Sequence, residues 1–198
     1  MNRIHHWLCR SATWQKALKQ TIMPWVMNAV ELGDDALEIG PGPGLTTDLL
    51  RLRAARLTAI EIDTLLAAPL ASRLRGTNVT VISGDATRMP FENARFTGAV
   101  SLVMLHHVPA PELQSNLVRE VWRVLKPGGV FAGMDIRQSL AMRLVHIGDT
   151  LVPIEPGTFA GWLEAAGFQD VFIDANSYAF RFRARRPLRP VVSEPVRP

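Results

Sequence analysis

From Asp35 onward, short apolar runs rich in β-forming residues alternate with longer stretches that have helical periodicity. Parallel strands need a crossover connection, usually a helix, so this alternation is typical of a parallel sheet with helices on both faces. It predicts an α/β fold built on a doubly wound sheet. The predicted strands are residues 36–40, 57–63, 79–83, 99–105 and 130–136, and the predicted helices are residues 46–52, 64–74, 112–125 and 158–166.

Two loop signals complete the expected topology. At residues 126–129, a proline and two glycines are expected to stop the preceding helix and turn the chain into a strand. Near the C-terminus, the β-rich runs 171–175 and 178–184 are separated by only two residues, which predicts an antiparallel hairpin at the edge of the sheet.

Residues 4–26 predict an amphipathic helix, because apolar residues recur on one side at steps of three, four and seven. Pro24 is expected to end or kink it. The apolar side could pack on the domain, line a substrate pocket or lie on a membrane surface, since tryptophans beside basic residues suit the last two roles. We therefore divide the chain into an N-terminal helical cap (1–30), a main domain (31–186) and a flexible, proline- and arginine-containing tail (187–198).

The overall composition excludes several classes of protein. The chain has 198 residues, 47% hydrophobic and 20% charged, which suits one globular domain with a substantial core. The apolar run at 98–105 is too short to span a bilayer, and no secretory signal is evident. The single cysteine, Cys9, excludes an internal disulfide and supports neither a zinc site nor a nucleophile. We expect a cytoplasmic protein without a metal site.

The net charge of +4 is concentrated at the C-terminus. The last eighteen positions hold six of the 22 basic residues and one of the 18 acidic residues, which leaves 16 and 17, a net charge of −1, for residues 1–180. A short arginine-rich end is typical of a solvated terminus and less often contacts an anionic surface. The six basic residues are Arg181, Arg183, Arg185, Arg186, Arg189 and Arg197.

A glycine-rich loop follows the first predicted strand. Gly40, Gly42 and Gly44 alternate with Pro41 and Pro43, so three positions lack a Cβ atom and the loop between them is stiffened. A ligand could lie directly on such a backbone. The spacing does not match the dinucleotide pattern G-x-G-x-x-G, because Leu45 occupies its last position.

Two carboxylates are predicted at the same rim of the sheet as this loop. In an open parallel sheet, ligands bind at the carboxyl ends of the strands, where the strand order reverses. Glu61 lies 21 residues after Gly40, at the end of the second strand, where an acid can accept hydrogen bonds from ribose hydroxyls. Asp85 follows the third strand and could accept a hydrogen bond from an amino group such as that of adenine.

These motifs resemble those of the class I S-adenosylmethionine-dependent methyltransferases, over most of residues 35–185. Residues 38–44 resemble the family's acid-x-G-x-G-x-G loop, Glu61 its ribose acid and residues 84–86 its adenine-contacting segment. Residues 89–91 with Phe96, then 105–108 and 124–129, resemble later markers of the small-molecule branch, which includes quinone-ring methyltransferases. The resemblance implies a seven-stranded sheet with an antiparallel final hairpin, and S-adenosyl-L-methionine as cofactor. The implied cofactor-binding residues are Glu38, Gly40, Pro41, Gly42, Gly44, Glu61, Ile62, Asp85, Ala86 and Leu102.

The chain departs from the family pattern in two places. Thr97 stands where an aspartate is usual before the fourth strand, so a structural hydrogen bond is either replaced or lost. The segment 137–156, where relatives often insert a substrate lid, is short. The pocket is therefore expected to be open or to be closed by the N-terminal helix.

The acceptor of the methyl group stays open at this point. We expect a small or amphipathic molecule. A phospholipid or other membrane-lipid acceptor, with peripheral membrane contact, would suit the N-terminal tryptophans and the arginine-rich end. A cofactor-binding protein without turnover would suit Thr97 and the short segment 137–156.

The RNA adenine dimethyltransferases are a further alternative, because residues 37–44, 58–63 and 84–86 resemble their motifs as well. Those enzymes carry an Asn-Leu-Pro-aromatic motif that holds a flipped-out base, and extraction of a base requires such a pocket. Residues 101–104 here read Ser-Leu-Val-Met and supply neither the amide nor the aromatic ring. Residues 1–180 are nearly neutral and lack the basic surface that nucleic-acid binding requires, so the sequence does not favour a nucleic-acid partner.

His106 and His107 are the candidate catalytic residues. They lie just beyond the fourth predicted strand and could deprotonate a phenolic or carbon acid. The alternative is that both cap a helix or pack in the interior. Methyl transfer from a sulfonium mainly requires alignment in a dry site, so it does not demand a general base.

Overall fold

The structure, a computed structural model, describes residues 11–188. Residues 4–10 of the predicted N-terminal helix and the tail from residue 189 lie outside the described residues. The strands are β1 (Asp35–Ile39), β2 (Arg56–Glu61), β3 (Val79–Ser83), β4 (Phe96–Leu102), β5 (Leu125–Ile136), β6 (Gln169–Ala175) and β7 (Ala179–Arg185). The α-helices are α1 (Ala12–Ala17), α2 (Met23–Val26), α3 (Leu45–Leu50), α4 (Thr64–Arg73), α5 (Pro111–Val124), α6 (Leu140–Val145) and α7 (Pro156–Ala165), with a π-helical turn at Leu18–Ile22 and a 3-10 turn at Leu105–His107.

The seven strands form one sheet in the order β3-β2-β1-β4-β5-β7-β6. β7 pairs antiparallel with both β5 and β6, and the other neighbours pair in parallel. The predicted doubly wound sheet and its antiparallel edge hairpin are therefore confirmed. The order reverses between β1 and β4, which places a crevice at the carboxyl ends of these two strands.

Two apolar layers cover the two faces of the sheet. Because side chains alternate along a strand, Ala99 and Phe131 face one layer while Val100 and Ala132 face the other. The first layer includes the apolar faces of α5 and α7, and the second includes α3 and the N-terminal helical segment. Both faces are buried, as the parallel sheet requires.

The N-terminal helical segment packs on the domain with its apolar side. Leu18, Met23 and Val26 are each no more than 3% exposed. Pro24 has no N–H to donate to the preceding turn. The turn before it, Leu18–Ile22, is a wider π-helical turn, in which the Met23 N–H donates to the carbonyl of Leu18 five residues earlier. The helix is thus distorted ahead of Pro24 and ends at Val26.

One sequence prediction in the second half of the chain is wrong. Residues 126–129 do not form a turn before the strand, because α5 ends at Val124 and β5 already begins at Leu125. The pairing of β5 with β4 shifts register between Leu125 and Val130, so the proline and glycines form an irregular part of the strand itself. The segment 137–156, which has no clear sequence pattern, contains α6.

The C-terminal arginines that the structure describes contact backbone carbonyls, whereas the predicted tail lies outside the described residues from residue 189 onward. Arg181 donates to the carboxylate of Asp174 and to the carbonyl of Trp25. Arg186 donates to three carbonyls at the end of α5 and stacks on the ring of Trp122 at 3.9 Å. Cations at helix C-termini satisfy carbonyls that have no intrahelical partner.

Thr97 supplies side-chain hydrogen bonds at the start of β4, where an aspartate was expected from the family pattern. Its Oγ1 accepts from the N–H of Asp35 at 3.0 Å and lies 2.7 Å from the carbonyl oxygen of Leu32 and 2.9 Å from that of Asp35. One hydroxyl thus joins the entry of β1 to β4, and the structural link is kept.

We expect Thr97→Val to lower the free energy of unfolding by about 1–3 kcal/mol, because the shape is kept while a part-buried N–H loses its acceptor. Urea denaturation of the full chain measures this change. Thr97→Ser retains the hydroxyl and should lose less than half as much. An equal loss in both variants would show that the methyl group, and not the hydrogen bond, matters at this position.

Candidate functional site

A cavity of about 490 Å³ lies at the carboxyl ends of β1 to β4. Its walls include the glycine loop after β1, the end of β2, the loop after β3 and the residues that follow β4. This is the crevice at which the strand order reverses. Its volume is within the range of roughly 300–1,000 Å³ that is usual for small-molecule sites.

The glycines of the loop serve different purposes. At Gly42, where φ is +54°, an added Cβ atom would meet nothing within 4 Å, so the backbone there borders open cavity. At Gly44, an added Cβ would overlap the side chain of Leu70 in α4, and this glycine is required for packing. Only the first of these positions leaves bare backbone for a ligand.

The carboxylate of Glu61 holds the loop against the end of β2. One oxygen accepts the N–H of Gly42 at 2.9 Å, and the other accepts the N–H of Asp63 at 3.0 Å. The side chain is 6% exposed and lines the cavity. Because each carboxylate oxygen has a second lone pair, Glu61 can accept further hydrogen bonds from a ligand.

Asp85 and Ile62 line the cavity from the neighbouring strand ends. One carboxylate oxygen of Asp85 accepts both the N–H and the hydroxyl of Thr87, each at 2.8 Å, which sets its orientation. Ile62 is 70% exposed even though it is apolar. An exposed apolar side chain beside oriented acceptors suits a ligand with one flat apolar face and polar edges.

Glu38 lies beneath the loop and does not line the cavity. It is 2% exposed, and its Oε1 accepts a hydrogen bond from the Thr46 hydroxyl. Its Oε2 has no hydrogen-bond partner among the described residues. Burial raises the pKa of this carboxyl to about 7, and the nearby carboxylates of Asp48 and Glu61 act in the same direction.

The two histidines after β4 have different surroundings. His106 is fully buried, does not line the cavity, and its Nδ1 lies 2.6 Å from the Asp135 carboxylate. His107 lines the cavity, and its Nδ1 donates to the carbonyl of Thr150 at 3.1 Å. Of the two candidate bases, only His107 is therefore in reach of a ligand.

The apolar part of the wall comes from other elements. Trp14 and Leu18 of the N-terminal helical segment contribute to it, so this helix closes part of the cavity, one of the roles considered for it from sequence. Val103 and Met104 after β4 and Leu113 of α5 contribute as well. The polar acceptors and this apolar wall thus come from different strands and helices around one cavity.

Most of the predicted site residues lie together. Those in the cavity wall are Gly40, Pro41, Gly42, Glu61, Ile62, Asp85, Ala86, Leu102 and His107. Glu38, Gly44 and His106 support the wall from behind. Sequence reasoning missed Asp149 and Thr150, which line the cavity from the loop after α6, because no local pattern marks that loop.

Within residues 11–188, no helix has the length and apolar character needed to cross a membrane.

A family model described as a methyltransferase domain matches residues 37–133. A probable ribosomal RNA small subunit methyltransferase A from Methanothermobacter thermautotrophicus is 52% identical over 58 residues, which cover 29% of this chain and 21% of that protein. A ubiquinone biosynthesis O-methyltransferase from Azotobacter vinelandii is 29% identical over 189 residues, which cover 82% of this chain and 78% of that protein. The chain thus spans about a fifth of the ribosomal RNA relative and most of the ubiquinone relative.

The solved structure of a SAM-dependent methyltransferase from Methanosarcina mazei has the same fold, with a TM-score of 0.66, 20% sequence identity, and coverage of 84% of this chain and 98% of that one. The strand order, the glycine loop and the strand-end carboxylates agree with the family match over residues 37–133. Residues 37–133 therefore form a methyltransferase domain, with the fold of the class I S-adenosylmethionine-dependent methyltransferases.

Proposed function

We propose that the protein transfers the methyl group of S-adenosylmethionine to a small or amphipathic acceptor with an apolar body. The observation that carries this proposal is the division of the cavity wall. Oriented acceptors come from the ends of β2 and β3, while apolar side chains come from the N-terminal helix, the turn after β4 and α5. A nucleoside suits the first part, and an apolar acceptor suits the second.

Three features of the described residues fit the cofactor. The open space at Gly42 would accept a ligand against bare backbone. Glu61 and Asp85 offer carboxylate oxygens for ribose hydroxyls and an amino group. The buried carboxyl of Glu38 lies behind this wall, where a cationic ligand in the cavity would favour its charged form, and S-adenosylmethionine carries a sulfonium and an ammonium group.

When bound, the cofactor supplies an activated methyl group, which an acceptor atom takes by in-line displacement. The protein's part is alignment and exclusion of water. Trp14, Leu18 and Leu113 provide apolar surface against which an acceptor would be held. His107 lies in the same wall, so its ring would border an acceptor that is held there.

An RNA acceptor is the second candidate, and the local identity to the ribosomal RNA relative favours it. The residues after β4 argue for the small molecule instead. Val103 adopts a positive φ of +55°, and Met104 packs beneath Gly40. Neither side chain has an amide to hold the amino group of a flipped-out nucleobase or an aromatic ring on which the nucleobase could stack.

Gly42→Val should abolish binding of S-adenosylhomocysteine, because a branched side chain would fill the space that the ligand requires. Isothermal titration calorimetry measures the loss. Gly76→Val is the matched control, since Gly76 also has a positive φ, at +81°, and open space around its Cβ direction but lies outside the cavity wall. Retained affinity in Gly42→Val, or equal loss in Gly76→Val, would contradict the proposed site.

Glu38→Gln should raise the free energy of unfolding at pH 8 by about 2–3 kcal/mol and leave it nearly unchanged at pH 4.5. Burial raises the pKa of Glu38 from an ordinary 4.5 to about 7 in the folded state. Between pH 4.5 and pH 7, the carboxyl is therefore protonated in the folded protein and ionised in the unfolded chain. Wild-type stability therefore falls as pH rises through this window, and the variant lacks that fall.

Denaturation at several pH values measures this difference. Glu92→Gln, at an exposed position, is the matched control and should not reproduce the profile. A difference between Glu38→Gln and wild type that is constant from pH 4.5 to 8 would show that the carboxyl does not titrate in this window.

The acceptor class is tested by the formation of S-adenosylhomocysteine from S-adenosylmethionine. A short-chain prenylated catechol or hydroquinone and isolated small-subunit ribosomal RNA serve as the two acceptors. We expect turnover with the phenolic compound and none with RNA, and the reverse would identify an RNA enzyme. Leu113→Asn should raise KM for the phenolic acceptor by about tenfold without changing S-adenosylhomocysteine affinity, because one buried apolar contact is worth roughly 1–3 kcal/mol.

A further inference from the structure

Three of the chain's five histidines meet beside the cavity. His106 and His107 end the 3-10 turn after β4, and His146 follows α6, 39 residues later. Their metal-ligating nitrogens all lie within 4.8 Å of one another. The ring centroids are 4.2 to 5.2 Å apart.

Each ring uses Nδ1 for a hydrogen bond that determines its tautomer. The Nδ1 atoms of His107 and His146 lie 3.1 Å and 2.8 Å from the carbonyl oxygens of Thr150 and Met142. A carbonyl only accepts, so Nδ1 carries the proton in both rings and a neutral ring has its lone pair on Nε2. In His106, Nδ1 lies 2.6 Å from a carboxylate oxygen of Asp135.

This is the arrangement found around metal-binding histidines, which donate their second nitrogen to a carboxylate or a backbone carbonyl. The outer partner fixes the ring orientation and raises the basicity of the ligating nitrogen. All three rings have such a partner, and all three Nε2 atoms are buried.

The two segments that carry the histidines are joined firmly. The N–H of Val152 donates to the carbonyl of His106 at 2.8 Å. The buried amide of Gln114 in α5 reaches the carbonyls of Leu105 and Val152 at 3.0 and 2.8 Å. The chain at Val152, six residues after His146, is therefore held against the turn after β4.

Packing alone does not account for this cluster. The Nε2 of His106 is fully buried and has no hydrogen-bond partner among residues 11–188, which is a costly position for a polar atom. A metal ion would use that lone pair, and imidazole is a preferred ligand of zinc.

We propose that His106, His107 and His146 bind a divalent transition metal of the Zn²⁺ class through their Nε2 atoms. Three histidines with a fourth position open are a known catalytic zinc arrangement, and tetrahedral Zn²⁺ brings its nitrogens to about 3.4 Å from each other, so the rings would close slightly. His107 and Thr150 line the cavity, and the metal would lie in that wall. Its fourth position could take an acceptor oxygen, a role that rests on the proposed function.

The test uses the full chain, purified without a polyhistidine tag and stripped with a chelator. Titration with Co²⁺ should give the visible absorption of a four-coordinate ion at one equivalent, and Zn²⁺ should displace it. His146→Gln and His107→Gln should each weaken Zn²⁺ binding by at least about tenfold. The double variant His5→Gln/His6→Gln changes the other two histidines of the chain and should bind the metal like wild type.

Affinity for S-adenosylhomocysteine and the circular dichroism spectrum are measured for every variant. Absence of stoichiometric metal binding in a wild-type protein that binds S-adenosylhomocysteine would overturn the metal site and leave the proposed function intact. The metal site would also be overturned if folded His146→Gln and His107→Gln bound Zn²⁺ like wild type, or if the His5→Gln/His6→Gln control lost Zn²⁺ binding. Metal binding by a protein with no affinity for S-adenosylhomocysteine would instead overturn the proposed function.

Discussion

The hydrogen bond from the Gly42 N–H to the Glu61 carboxylate is the contact on which the site depends. It joins the loop after β1 to the end of β2, and the same carboxylate also accepts the N–H of Asp63. The loop thereby presents open backbone at Gly42 instead of collapsing on the sheet. Because β1 borders the reversal of strand order, this one contact shapes the crevice there.

Several polar groups around that contact are buried or part-buried, and burial of a polar group costs free energy unless it has a hydrogen-bond partner. Thr97 supplies hydrogen bonds between the entries of β1 and β4. Arg186 satisfies the carbonyls at the end of α5. Glu38 and His106 are among the exceptions in the described residues, since each keeps one buried atom without a hydrogen-bond partner. Both flank the cavity, and unsatisfied buried groups are expected where a ligand completes the site.

Features that depend on neighbours in sequence were predictable. The strand and helix pattern from Asp35 to Ile136 gave the parallel sheet, because periodicity reports which side chains are buried. The loop at 40–44 and the acids Glu61 and Asp85 were placed at one rim, since the carboxyl ends of parallel strands lie on the same side. Residues 126–129 were misread because proline and glycine also occur in an irregular strand, and pairing with β4 decided the outcome.

The sequence by itself therefore determined the fold class, the family and the part of the site that strand ends carry. Only the tertiary structure decided which histidine reaches the cavity, that His146 joins His106 and His107, and that Trp14 closes the wall. It also showed that Arg181 and Arg186 bind backbone carbonyls. These contacts join residues between 39 and 156 positions apart, and no local periodicity or spacing encodes such a meeting. They arise when the sheet brings distant loops to one rim and burial requires each polar group to find a partner.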